Sequence, residues 1–197
     1  VVITKNKAEV VFNYYQDGLK PFLEGKDINA YYIKPIHSYL NYKPELLHRA
    51  RTSKVFEVPE KLLVQRITGG KHPLKVAYDN QGYYNKESIN NIIIKSASEV
   101  KTKFVLALLN SKLINWLYNI QFTNESTLTV NISKEYLSRI PIRKPDNYSL
   151  FIEKADLMLS LNTELQEISQ KLQRTIQRKF TIEELSNKLQ DWYLLSY

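Results

Sequence analysis

The stretch LLVQRITGGKHPLKVAYDNQGYY, Leu62–Tyr84, constrains this chain more than any other. It reads as a strand, a glycine-containing loop, a second strand and a tight turn. Downstream, FVLALLNSKLINWLYN, Phe104–Asn119, reads as an apolar helix carrying an Asn-Ser-Lys step. Basic and aromatic side chains collect at the loops, and nothing here is arranged like a catalytic centre. A rigid scaffold presenting basic loops suits a polyanionic partner.

The charge supports that reading. Of the net +8, residues 1–146 hold 22 Lys and Arg against 13 Asp and Glu, whereas residues 147–197 hold 6 against 7. The basicity therefore belongs to the first part, and phosphate attracts it through long-range field and counterion release. Nucleic acid is therefore the leading partner class. The chain has no cysteine, which excludes disulfides, thiolate zinc sites and a cysteine nucleophile, and fits a reducing, cytoplasmic setting. No apolar run is long enough for a membrane span, so no membrane partner is expected. The chain starts on Val1 rather than Met, and we expect a segment of a longer polypeptide.

The periodicity predicts an entry strand or helix over Val1–Gln16, and a turn and strand over Lys20–Pro35 with Gly25 and Asp27 at the bend. A short helix or extended loop follows at Leu46–Ser53. Lys61–Ile67 and Asn91–Lys95 read as buried strands. Val76–Asp79 and Tyr83–Tyr84 flank Asn80-Gln81-Gly82 as a hairpin, with Gly82 at the positive φ of the turn. Phe104–Ile120 is expected to be one helix, with Phe104, Leu109, Leu113, Trp116 and Ile120 on its apolar face. Ser126–Ile132 alternates as a strand. Beyond Tyr148 a narrow seam recurs at Phe151, Ala155, Met158, Leu161, Leu165, Ile168, Leu172 and Ile176, predicting one long helix. A second helix is expected from Thr181, with Thr181 and Glu184 as a capping box and Ile182, Leu185, Leu189 and Trp192 on its buried face.

Candidate chemistry is sparse. Gly69-Gly70-Lys71 lacks the spacing of a phosphate loop, and Asn-Pro-Pro-Tyr does not occur. His37, His48 and His72 are not spaced as zinc ligands. Pro145-Asp146 with Glu153-Lys154 lacks the residue a nuclease motif needs between acid and lysine. We expect no catalytic, cofactor-binding or metal residue. The DNA-binding candidates are Arg49, Arg51 and Lys54 in one cluster, Arg66, Lys71, His72 and Lys75 around the glycine loop, and Tyr83 and Lys86 around the next turn. Lysine and arginine supply phosphate contacts, and a bidentate arginine can read guanine. For an individual tyrosine a place in the core is the commoner role, and an arginine cluster is as often plain solvated surface. Asp27 reads most simply as a turn carboxylate.

The order KPFLEGKDI, KLLVQRITGG, AYDNQGYY, ALLNSKLINWLY and EYLSRIPIRKP, over Lys20–Pro145, resembles the TaqI-like C-terminal specificity domain. That module follows the catalytic domain in N6-adenine DNA methyltransferases and fused restriction-modification enzymes. A looser likeness extends to target recognition domains of type I specificity subunits. The resemblance implies an α+β fold: a small mixed β-sheet target recognition domain with packed helices, over residues 1–146, then a long helical hairpin or extension over 147–197. It implies sequence-specific duplex recognition on behalf of a methyltransferase domain of the same parent polypeptide. S-adenosylmethionine would belong to that domain and not to this segment. Two alternatives rest on the residues alone: an RNA-binding module, and a structural or oligomerising domain working through the Phe151–Ile176 seam.

Overall fold

The computed structural model of the chain describes residues 3–4, 7–123, 128–190 and 192–194. Two compact units divide inside a long helix, at Val1–Ala155 and Asp156–Tyr197. The fold is α+β.

The first unit is built on β8 (Lys61–Gln65), which lies between β10 (Val76–Asp79) and β12 (Ile89–Ile92), antiparallel to both. Lys61 to Val64 are all buried, so this strand is covered on both faces. Leu63, Ala77 and Ile89 join Leu23 and Ile28 in one cluster. Alternation turns Leu62, Val64 and Val76 to the other face, where α2 (Thr102–Leu109) packs.

A second sheet runs β11 (Tyr84–Asn85), β3 (Lys20–Leu23), β6 (Tyr39–Leu40) and β2 (Val11–Phe12). Its core is Val10, Phe22, Leu40, Leu47, Phe56 and Tyr84. Phe22 and Tyr84 enter this cluster, while their neighbours Leu23 and Tyr83 enter or border the other. The period of two along β3 and residues 83–84 thus supplies two cores at once. Three two-stranded ribbons complete the unit. They pair β1 (Ile3–Thr4) with β7 (Leu47–His48), β4 (Ile28–Asn29) with β5 (Tyr32–Ile33), and β9 (Ile67–Thr68) with β13 (Val130–Asn131).

Several elements differ from expectation. Tyr83–Tyr84 form no hairpin with β10. Gly82 does take a positive φ of 72°, but the turn redirects the chain so that β11 pairs in parallel with β3. The strand expected at Asn91–Lys95 lies at Ile89–Ile92, because its ladder ends where β8 begins, and Ile93 is exposed. The single helix over Phe104–Ile120 is two. α2 ends at Leu109, Ser111 caps α3 (Lys112–Tyr118) by accepting from the Ile114 N–H at 3.2 Å, and a π-helical turn follows over Asn119–Thr123. A new N-cap resets the helical phase, so Ile114, Asn115 and Tyr118 are buried while Leu113, Trp116 and Ile120 are exposed. In the strand expected at Ser126–Ile132, residues 124–127 lie outside the described residues. Val130 and Ile132 beyond them are buried.

Gly25 shows why this bend takes a glycine. Its N–H donates to the Ser88 hydroxyl at 2.8 Å, and a Cβ there would sit 2.9 Å from the Ser88 carbonyl oxygen. Asp27 accepts from the Glu24 N–H at 2.8 Å, the turn role expected of it. Gly25→Ala should cost about 1–2 kcal/mol by overpacking, measured as a lower urea midpoint. An unchanged midpoint would mean that Ser88 gives way freely.

The second unit consists of most of α5 (Ser149–Phe180) and a returning tail with α6 (Asn187–Gln190). No capping box forms at Thr181. Its φ of 52° makes it the left-handed stop of α5, and the Ile182 N–H donates back to the Gln177 carbonyl at 3.1 Å. The tail returns along a polar row of α5 and not along its apolar seam. Gln166, Ser169, Gln173 and Gln177 bond it, with the Trp192 indole donating to Ser169 Oγ at 3.0 Å and Gln173 donating to the Gln190 carbonyl at 2.8 Å. Part of the apolar seam stays open: Leu161 is 47% and Ile168 49% exposed, whereas Ala155 is buried and Leu165 half-buried.

Candidate nucleic-acid interface

The nine candidate residues fall into three groups by what holds them. Arg49 and Arg51 flank Ala50, which packs against the cluster of Val10, Leu47 and Phe56. Leu47 and the fully buried Phe56 anchor the segment at its ends, while Arg49, Arg51 and Lys54 are all exposed. Arg49 adopts φ 54°, a left-handed conformation that costs a residue with a Cβ about 1–2 kcal/mol. The surrounding packing holds that strain.

Lys71, His72 and Lys75 stand on the loop between β9 and β10. Pro73 and Leu74 are buried, so the loop dips into the core between Lys71-His72, which are exposed, and Lys75, which is half-buried. Three asparagines fix its backbone. Asn119 Nδ2 donates to the Lys71 carbonyl at 2.8 Å. Asn115 Oδ1 accepts from the Leu74 N–H at 2.8 Å, and its Nδ2 donates to the Leu109 and Ser111 carbonyls. Asn110 pairs with both backbone groups of Val76, accepting at 3.1 Å and donating at 2.9 Å. The broken helix therefore works as a bracket for the basic loop. Gly70, at φ 80°, has open space around its Cα, so the loop tip can approach a ligand closely.

Arg66, Lys86 and Tyr83 are engaged within the protein. Arg66 Nη1 donates to the Glu87 carbonyl at 3.0 Å, tying β8 to the segment that follows β11. Lys86 lies 3.4 Å from Glu24, which also pairs with Lys7 at 2.8 Å and Lys26 at 3.7 Å. Burial opposes ionisation of Glu24, but the ammonium groups of Lys7 and Lys86 outweigh it and hold the carboxyl below its usual range. Tyr83 packs beside the Leu23 and Ile28 cluster, and burial, with the Asp79 charge, pushes its hydroxyl up. Tyr84 donates to Glu57 at 2.6 Å; burial and that carboxylate raise its pKa further.

Beneath both sheets lies a buried ion pair. Lys61 Nζ is 2.5 Å from Asp79 Oδ2 and donates to the Phe56 carbonyl at 2.6 Å, with both side chains fully enclosed. Burial pulls the Lys61 pKa down, against the attraction of Asp79. Asp79 also accepts from the N–H groups of Gln81, Gly82 and Tyr83 at 2.8, 3.1 and 3.0 Å. This pair fixes the turn that hands the chain from one sheet to the other.

Sequence reasoning missed the bracket and the ion pair. The signal for the bracket was partial: Asn115 and Asn119 stand one helical turn apart, but Asn110, five residues before Asn115, joins them only because the helix breaks at Ser111. Among the described residues, no group of three or more His, Asp or Glu could hold a metal ion, and no helix is long and apolar enough to cross a membrane.

Comparison with known proteins finds no match among curated proteins. Residues 144–197 match the model of a domain of unknown function, DUF8810. Residues 20–142 match the model of the TaqI-like C-terminal specificity domain, a span that runs from β3 through α4 (Lys134–Ser138) and holds both basic loops and their bracket. On that match over most of its length, the chain belongs to the TaqI-like C-terminal specificity domain family.

Proposed function

We propose that this chain selects the duplex DNA site for an adenine-specific methyltransferase domain of the same parent polypeptide, or of a fused restriction-modification enzyme. In this reading residues 1–146 do the recognition and 147–197 are a helical appendage, in a cytoplasmic setting. The parent's other domain would bind S-adenosylmethionine and extrude the target adenine, while this segment grips the duplex. What carries the reading is the family match together with two exposed basic segments whose backbones are fixed from beneath.

Exposure and internal hydrogen bonding support a division of roles among the candidates. In this reading the exposed Arg49, Arg51, Lys54, Lys71 and His72, with the half-buried Lys75, contact phosphate or base edges. Arg66, Tyr83 and Lys86 support the loops from within. Titration of fluorescent duplex DNA from low to physiological salt tests the function. Five phosphate contacts give a slope of log affinity against log salt of about −4 to −5. Lys71→Ala with Lys75→Ala, and Arg49→Ala with Arg51→Ala, should each flatten that slope by about 1–2 while leaving the urea midpoint unchanged. A base-reading arginine would in addition lose about 1–3 kcal/mol of discrimination at one base pair, seen in the methylated sites of the parent enzyme. A slope near zero for the parent chain would end the nucleic-acid reading.

A further inference from the structure

The long helix carries an apolar seam that its own tail does not cover. Met158, Leu161, Leu165, Ile168 and Leu172 recur at steps of 3, 4, 3 and 4, the heptad spacing of a coiled-coil contact. In this structure Met158, Leu161, Ile168 and Leu172 are 37%, 47%, 49% and 36% exposed. The tail packs instead on the row of Gln166, Ser169, Gln173 and Gln177. The heptad seam and the tail row are neighbouring faces of one helix, with centres about 100° apart. Single exposed apolar residues are ordinary, whereas four along one heptad stripe, with the half-buried Leu165 at its centre, are not.

Charge identifies the occupant. Glu164 and Lys171 lie beside the seam on the side away from the tail row, seven residues apart. Set two copies antiparallel about a two-fold axis between residues 166 and 167. Leu165 then meets Ile168 of the second copy and Leu161 meets Leu172, with each contact made twice. In the same register Glu164 faces Lys171 of the second copy, also twice. A parallel pair would place Glu164 against Ser169 and Lys171 against Ile176, with no charge match. We infer that α5 is a self-association surface that pairs antiparallel with a second copy of this chain through Met158–Leu172. This isologous contact closes on itself as a dimer.

Sedimentation of the full chain between about 1 and 100 μM should show a monomer–dimer equilibrium. Ile168→Asp should raise the dissociation constant by at least about tenfold. Because that side chain is half-exposed in the single chain, the circular dichroism spectrum should not change. Glu164→Lys alone and Lys171→Glu alone should each weaken the dimer, and the two together should restore it, a rescue that the parallel arrangement does not predict. With no native cysteine, introduced thiols report the register. Leu161→Cys with Leu172→Cys should form intermolecular disulfides readily. Leu161→Cys alone should not, since its copies would sit about 16 Å apart along the axis at 1.5 Å per residue. Three results would each overturn the proposal: a monomer throughout, no rescue by the double charge reversal, or ready crosslinking by Leu161→Cys alone. A monomer throughout would leave the seam to a different partner.

Discussion

Asp79→Ala is expected to destabilise the first unit by about 3–5 kcal/mol, a large fraction of the roughly 5–15 kcal/mol that keeps a typical domain folded. The substitution leaves the Lys61 ammonium enclosed with the Phe56 carbonyl but no counter-ion, and it takes an acceptor from the N–H groups of Gln81, Gly82 and Tyr83. Removing both charges is a different matter. Lys61→Met with Asp79→Leu spares the desolvation of two ions, so the double variant should recover much of what the single one loses. The turn N–H groups would still lack their acceptor, so recovery should be incomplete. Urea denaturation of Lys61→Met, Asp79→Leu and the variant carrying both measures the coupling. A single Asp79→Ala variant as stable as the parent would mean that water reaches Lys61.

The second large effect is expected at Asn115, which is 1% exposed. Asn115→Ala strands the buried Leu74 N–H and frees the Leu109 and Ser111 carbonyls, a loss of about 2–3 kcal/mol. Because Leu74 is the point where the basic loop dips into the core, the loop carrying Lys71 and Lys75 should loosen as well. DNA affinity should then fall although no cation has been removed. The salt slope, which counts phosphate contacts, should change less than it does in Lys71→Ala with Lys75→Ala. Amide exchange at Leu74 and Val76, followed alongside DNA titration, separates the two effects. If exchange speeds up and affinity stays the same, the bracket is a stability device only.

These two sites show where sequence reading stopped. Lys61 and Asp79 are far apart in the chain and look like ordinary strand-end charges until the antiparallel register puts them opposite one another. Asn115 reads as a polar interruption in an apolar helix until the loop lands on it. The nine candidate residues were chosen as basic or aromatic groups near loops, and that criterion cannot tell an outward cation from one spent on a backbone carbonyl. Position along the chain separates Arg66, beside the strand, from Lys71 on the loop, but does not name the partner of either. Arg66 has its guanidinium on Glu87, while Lys71 is exposed.

What the sequence determined by itself is whatever depends on local spacing and composition. The buried strand at Lys61, the positive φ at Gly82, the bend at Gly25-Lys26-Asp27, the long helix after Tyr148 and the excess charge before Asn147 all follow from residues within a few positions of one another. The five ordered motifs carried the family, because order along a chain is itself a sequence property. The tertiary structure decided the rest, because each remaining feature is a choice between distant partners. Parallel pairing of β11 with β3 replaced the local hairpin, since Tyr84 fills a core that Phe22, Phe56 and Leu40 share. The Ser111 cap moved Trp116 to the surface. Along α5 both an apolar heptad and a row of polar residues were legible as faces. The tail lies on the polar one, where Gln173 donates to the Leu189 and Gln190 carbonyls and Ser169 accepts from the Trp192 indole, bonds that leucine cannot make.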